Sequence, residues 1–172
     1  MTRQPVRLVV MGVSGSGKST FAAAIGKHLH LHMVDGDDLH LPQSVEKMSH
    51  GIALTDADRW PWLEAIGARM EVERDTGHGV VVSCSALKHA YRDALRKQVR
   101  GKVHFILLDG SRELIGDRMK KRKGHFMPPA LLDSQFATLE KPTADEDAVI
   151  LDISHTVPVL LAEAARALVP AP

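Results

Sequence analysis

Five short runs of apolar, mostly β-branched residues punctuate the chain, and longer stretches with helical periodicity separate them. The runs are Val6–Met11, His32–Asp35, Gly79–Cys84, Val103–Leu108 and Ala148–Ile153. Each is too short for a helix and is bounded by glycine or polar residues, the signature of a buried strand. Between and after them, Lys18–Leu29, Trp60–Asp75, Leu87–Val99, Arg112–Lys121 and Pro158–Leu168 carry helix-like spacing. Strand and helix alternate about five times, which predicts an α/β fold with a five-stranded, mainly parallel sheet flanked by helices. Its crossovers should be right-handed. Two stretches break the rhythm: the acidic Asp37–Asp58, and Lys120–Thr143, which opens with "KKRKGH". Ligands of open α/β sheets sit at the carboxyl ends of the strands, where Asp35, Ser83 and Asp109 fall.

Composition narrows the function. At 172 residues, 44% of them hydrophobic, the chain suits one compact domain. Its 22 basic residues nearly balance 21 acidic ones, so a general nucleic-acid binder is not expected. The single cysteine, Cys84, allows no intrachain disulfide and reads as a buried strand-end residue. No apolar run approaches the ~20 residues that span a bilayer, and the first residues lack a signal peptide's layout. A cytoplasmic protein without membrane contacts is the expectation.

"GVSGSGKS" supplies the first chemistry. Gly12, Val13, Ser14, Gly15, Ser16, Gly17, Lys18 and Ser19 fit G-x-x-x-x-G-K-[ST] at every fixed position, with Thr20 next. The motif follows a strand and opens a helix, the context in which it cradles phosphates. Backbone N–H groups and the helix dipole face the phosphate oxygens, Lys18 reaches the β- and γ-phosphates, and the Ser19 hydroxyl binds Mg²⁺. A chance glycine-rich turn would not place all these parts in register. A GTPase would show N-K-x-D, and the chain has no asparagine. A motor ATPase would carry a Walker B strand followed by glutamate; Asp109 could serve as its carboxylate, but no glutamate follows. A small kinase needs an acceptor pocket, a base and a basic lid.

Candidates for these parts follow in order. Asp35 ends the second strand, and Asp37 stands two residues on; one suits the metal side and the other a proton acceptor. Asp38 suits a local cap. His40 shares the cluster, as ligand contact or structural histidine. Arg59 could grip a substrate carboxylate or form a surface ion pair, and Asp56 could cap a helix. Trp60 and Trp62 suit packing. Ser85 begins the segment after the third strand, and Lys88 and Arg92 lie four apart, suited to an anionic substrate or to a solvated basic face. Arg118 and Arg122 are also four apart, ahead of Gly124, His125 and Pro128. They suit a phosphate clamp at a hinge, with a basic helix end as the plainer reading.

These blocks resemble the gluconokinases, a family of P-loop small-molecule kinases related to shikimate and adenylate kinases. The matching segments are "MGVSGSGKST", "DGDDLH" with "EKM", "DADRWPWL", "CSALKHAYRD", "KGHF", and "QFATLEKP" with "ADE", in the family's order. The resemblance implies a P-loop kinase fold with a substrate-binding insertion at about 37–77 and a lid at about 118–140. It implies transfer of phosphate from ATP, with Mg²⁺, to the 6-hydroxyl of D-gluconate, often by a homodimer. Carried over by position, Asp35 supports Mg²⁺, Asp37 is the base, and Arg118 and Arg122 belong to the lid. Arg59 and Lys88 suit the gluconate carboxylate and hydroxyls. His40, Ser85, Arg92 and His125 are further substrate candidates, and Pro142 lies near the adenine. A different sugar acid or a nucleoside monophosphate is the alternative acceptor, and a regulatory nucleotide-binding module the alternative class. The chain departs from the family where "HLPQS" stands for "HPxxN" and where Thr55 replaces asparagine.

Overall fold

The computed structural model describes residues 5–122 and 128–168. Five strands form one sheet in the order β2-β3-β1-β4-β5. They are β1 (Arg7–Met11), β2 (His32–Asp35), β3 (Val80–Ser83), β4 (His104–Asp109) and β5 (Val149–Asp152). Every neighbouring pair is parallel, so the expectation of a mainly parallel sheet becomes a wholly parallel one. Both faces of the central strands are covered. Leu8, Val9, Val10 and Met11 have no exposed surface, as a near-continuous apolar run requires in a doubly covered sheet.

Seven α-helices accompany the sheet among the described residues: α1 (Lys18–Leu29), α2 (Pro42–Ser49), α3 (Asp56–Asp75), α4 (His89–Gln98), α5 (Arg112–Lys121), α6 (Pro129–Thr138) and α7 (Val157–Leu168). The step from β1 to β2 runs one way along the sheet and the later steps run the other way. Right-handed crossovers then put α1 on one face and α3 and α4 on the other. The packing agrees: α1 meets α7, and α3 meets α4. The reversal lies beside β1, so the carboxyl ends of β1 and β3 border the switch-point crevice where such folds bind ligands.

Two helices depart from the sequence expectation by existing at all. Both α2 and α6 lie in the segments read as insertions, and both start on a proline. Pro is welcome at the first helical position, where its missing N–H costs nothing. The third departure is α3, which starts at Asp56 and carries Pro61 inside it. Its N-cap is Thr55, not Asp56. The Asp58 N–H donates to Thr55 Oγ1 (3.3 Å) and the Thr55 N–H donates back to Asp58 Oδ2 (2.8 Å). This reciprocal box fixes the start four residues before the expected one. Lys47 on α2 reaches Asp58 Oδ2 at 2.9 Å and ties the two helices together.

Candidate active site

The loop after β1 turns into α1 at Gly17, whose φ of 93° is left-handed and favours glycine. Lys18 is half-buried beside this loop and donates from Nζ to Val13 O at 2.9 Å. Burial pushes its pKa down, while the charges of Asp37 and Asp35 oppose that shift. The neighbouring Ser19 Oγ donates to Asp35 Oδ2 at 3.2 Å, and Ser83 Oγ donates to Asp35 Oδ1 at 3.2 Å. Asp35 thus ends β2 with both oxygens held by the ends of adjoining elements.

A 3-10 turn, Gly36–Leu39, follows directly. Asp35 itself caps it, accepting from the Asp37 N–H at 3.0 Å. Asp38, expected to cap, does not do so. Asp37 is left 73% exposed at its side chain and faces His40 Nε2 at 3.8 Å. The His40 ring stacks on Trp62 with centroids 4.1 Å apart, and Trp62 Nε1 donates to Gly36 O at 2.7 Å. Burial lowers the His40 pKa against the pull of Asp37, which favours the neutral ring. Its Nδ1 is buried and has no hydrogen-bond partner among the described residues. Of the two tryptophans expected to pack, Trp62 is buried and Trp60 stays 38% exposed.

Arg59 projects from the first turns of α3. Its Nη1 donates to Tyr91 Oη at 2.9 Å, and the tyrosine hydroxyl in turn donates to Asp56. Lys88 Nζ contacts both oxygens of the same Asp56, at 3.3 and 3.4 Å. One carboxylate therefore orients two cations through direct and relayed bonds.

These elements enclose a cavity of about 280 Å³. Ser14, Lys18, Asp37, His40, Arg59 and Ser85 are among its polar lining, and Met48, Trp62 and Leu131 among its apolar walls. On the other side of the loop lies a second cavity of about 350 Å³, bounded by Gly15, Ser16, Gly17 and Thr20. Arg118 and Arg122 line it, together with Ile153, Val157 and Leu160. Arg118 Nη2 donates to Ile153 O at 2.6 Å. The phosphate loop is thus shared between a cation-rimmed hollow with apolar walls and a hollow with both a carboxylate and a guanidinium.

Several expected site residues stand elsewhere. Arg92 is fully buried and pairs with Glu146, Nε to Oε1 at 2.7 Å and Nη2 to Oε2 at 2.9 Å. It also donates to Ala86 O, so it holds α4 to the turn before β5 and does not reach the cavity. Lys88 is the N-cap of α4 and lines neither cavity. Pro142 and Asp109 line neither, and Asp109 is paired with Lys141 at 3.1 Å. Gly124 and His125 lie outside the described residues. Cys84 is buried, and burial pushes its thiol up to about 12, which leaves no activated thiolate. Sequence reasoning missed the α6 side of the first cavity, which Leu131, Ser134 and Gln135 supply. The available signal was Gln135 in "QFATLEKP".

A wholly parallel sheet, a phosphate loop between two hollows and a carboxylate pair at the end of β2 define a P-loop kinase. Residues 8–142 match the family model described as an AAA domain. The chain is 49% identical to the thermosensitive gluconokinase of Escherichia coli K12, covering 87% of this chain and 80% of that one. It is 45% identical to the gluconokinase of Gluconobacter oxydans 621H, covering 96% and 93%. The chain belongs to the gluconokinase family. A crystal structure of a gluconokinase from Sinorhizobium meliloti 1021 superposes with a TM-score of 0.86 at 46% identity, covering 96% of this chain and 93% of that one. APS kinase of Mycobacterium tuberculosis, at 20% identity and a TM-score of 0.69 over 96% and 99% of the two chains, shares the fold.

Proposed function

We propose that the protein transfers the γ-phosphoryl group of ATP to the 6-hydroxyl of D-gluconate, giving 6-phospho-D-gluconate and ADP. The observation that carries this reading is the 280 Å³ cavity, in which Arg59, Asp37 and Lys18 meet beside the phosphate loop. Gluconate offers one carboxylate and a row of hydroxyls. Arg59 suits the carboxylate, since a guanidinium grips it in two places, and the Tyr91–Asp56 relay aims that fork. Asp37 accepts the proton of the attacking hydroxyl as the new O–P bond forms and the bond to the ADP oxygen breaks. Lys18, Arg118 and Arg122 balance the charge on the transferring group and the leaving diphosphate. ATP would occupy the second cavity, with its phosphates on Gly12 through Ser19.

Mg²⁺ fits the residues present. Ser19 Oγ and Asp35 Oδ2 are hard oxygen donors 3.2 Å apart, and such a site is completed by phosphate oxygens and water. The ion would neutralise phosphate charge there, with Asp35 holding its water shell. Residues of about 37–77 act in this reading as the acceptor-binding insertion, and those of about 118–140 as the lid. Among the described residues no helix is long and apolar enough to cross a membrane. A cytoplasmic homodimer is the working form we infer from the family resemblance.

The test is a coupled ADP-release assay over sugar acids, shikimate and nucleoside monophosphates, with and without Mg²⁺. Gluconate should give the highest kcat/KM, and turnover should require the ion. Gluconate turnover no greater than the ATP-only background would overturn the reading.

A further inference from the structure

Gln135 joins the phosphate loop to the acceptor cavity. Its Oε1 accepts a hydrogen bond from the Ser14 N–H at 2.7 Å. A backbone N–H can only donate, so the limb facing Ser14 is the carbonyl oxygen and the other limb is the NH₂. Gln135 also lines the cavity that holds Lys18, Asp37 and Arg59. Among the described residues its Nε2 makes no hydrogen bond, so two donors remain in a hollow suited to a polyhydroxylated acid.

The helix that carries Gln135 is held at two points. Arg112 Nε on α5 contacts Asp133 Oδ1 on α6 at 2.6 Å. Beyond the end of α6, the Glu140 N–H donates to Leu87 O at 2.8 Å and the His89 N–H donates to Glu140 Oε1 at 2.9 Å. The helix is thus tied to α5 and to the start of α4, and Gln135 needs little ordering to act.

We propose that Gln135 is a substrate-contacting, specificity-determining residue: Nε2 donates to an oxygen of the acceptor while Oε1 fixes the Ser14 end of the phosphate loop. One side chain then sets the distance between the attacking hydroxyl and the transferring phosphoryl group. Misplacement of about 1 Å can cost ~10²-fold in rate, so a ruler of this kind acts on catalysis as well as binding. The proposal rests on the gluconate reading above.

The experiment compares wild type, Gln135→Glu and Gln135→Met in gluconate kinetics and in ATP binding by calorimetry without gluconate. Gln135→Glu keeps an oxygen for the Ser14 N–H and removes the donor. Gln135→Met removes both without adding charge. Both variants should lose at least tenfold in kcat/KM for gluconate, with a raised gluconate KM. The ATP dissociation constant of Gln135→Glu, which keeps the acceptor for the Ser14 N–H, should stay within about threefold of wild type, which also reports that the loop is folded. Gluconate parameters within twofold of wild type in both variants would overturn the proposal, as would a loss confined to ATP binding. Absence of gluconate turnover in the wild type would instead sink the underlying functional reading.

Discussion

At the scale of single residues, position relative to a strand end separated the informative side chains from the rest. Asp35 and Asp37 were legible because they follow an apolar run directly, and the structure puts Asp35 against Ser19 and Asp37 in the cavity that Lys18 lines. For Asp37→Asn we expect kcat to fall ~10²–10⁴-fold, the usual worth of a general base, with a far smaller change in gluconate affinity. Steady-state kinetics check this, and a wild-type kcat would remove Asp37 from the role. Tyr91 was not legible, because a tyrosine in a basic stretch gives no sign that Arg59, 32 residues earlier, donates to it. For Tyr91→Phe, loss of a hydrogen bond between charged partners, about 1.5 kcal/mol, should raise the gluconate KM roughly tenfold. An unchanged KM would show that Arg59 is oriented without it. Arg92 is the instructive failure. Four residues from Lys88, it looked like half of a cationic face, but its partner Glu146 is 54 residues away and invisible to any local pattern.

At the scale of elements, hydrophobic period located the strands and the long helices. It failed where an element is short and its start is marked by chemistry other than period. Both α2 and α6 begin on a proline and bury little: Ser44 is the buried residue of the first, Leu131 and Leu132 of the second. A polar or proline-rich stretch of that kind reads as loop until packing shows what it covers. The end of β2 shows the opposite, a local constraint set by an approach between elements. A Cβ added to Gly36 would lie 2.3 Å from Ser83 O, a backbone atom at the end of β3. Gly36→Ala must therefore push the 3-10 turn away from the sheet, and Asp35 and Asp37 with it. We expect a lower melting temperature together with a loss of kcat; a variant that matched wild type in both would show that the strand ends can part without moving the carboxylates.

At the scale of the whole molecule, the parallel sheet gathers loops far apart in sequence at one edge, and the last connections must hold them there. The Glu146 carboxylate does part of this. It accepts from Arg92 and Arg96 on α4 and stands just before β5, so it ties one helical layer to the edge of the sheet. Arg92 and Glu146 have side-chain exposures of 0% and 2%. Glu146→Gln should cost about 3–5 kcal/mol, because a buried guanidinium then lacks its counter-charge. The same pair sets a pH dependence. Hydrogen bonds from Arg92 lead, burial opposing, in lowering the Glu146 pKa from 4.5 to about 2. The folded chain binds this proton less readily than the unfolded one. The stabilisation is therefore complete above about pH 4.5 and lost as the pH falls toward about 2. Melting temperature followed from pH 7 downward should fall through that window in the wild type. In Glu146→Gln it should start lower and change less over the same interval. Parallel curves for the two proteins would assign the acid sensitivity to other carboxylates.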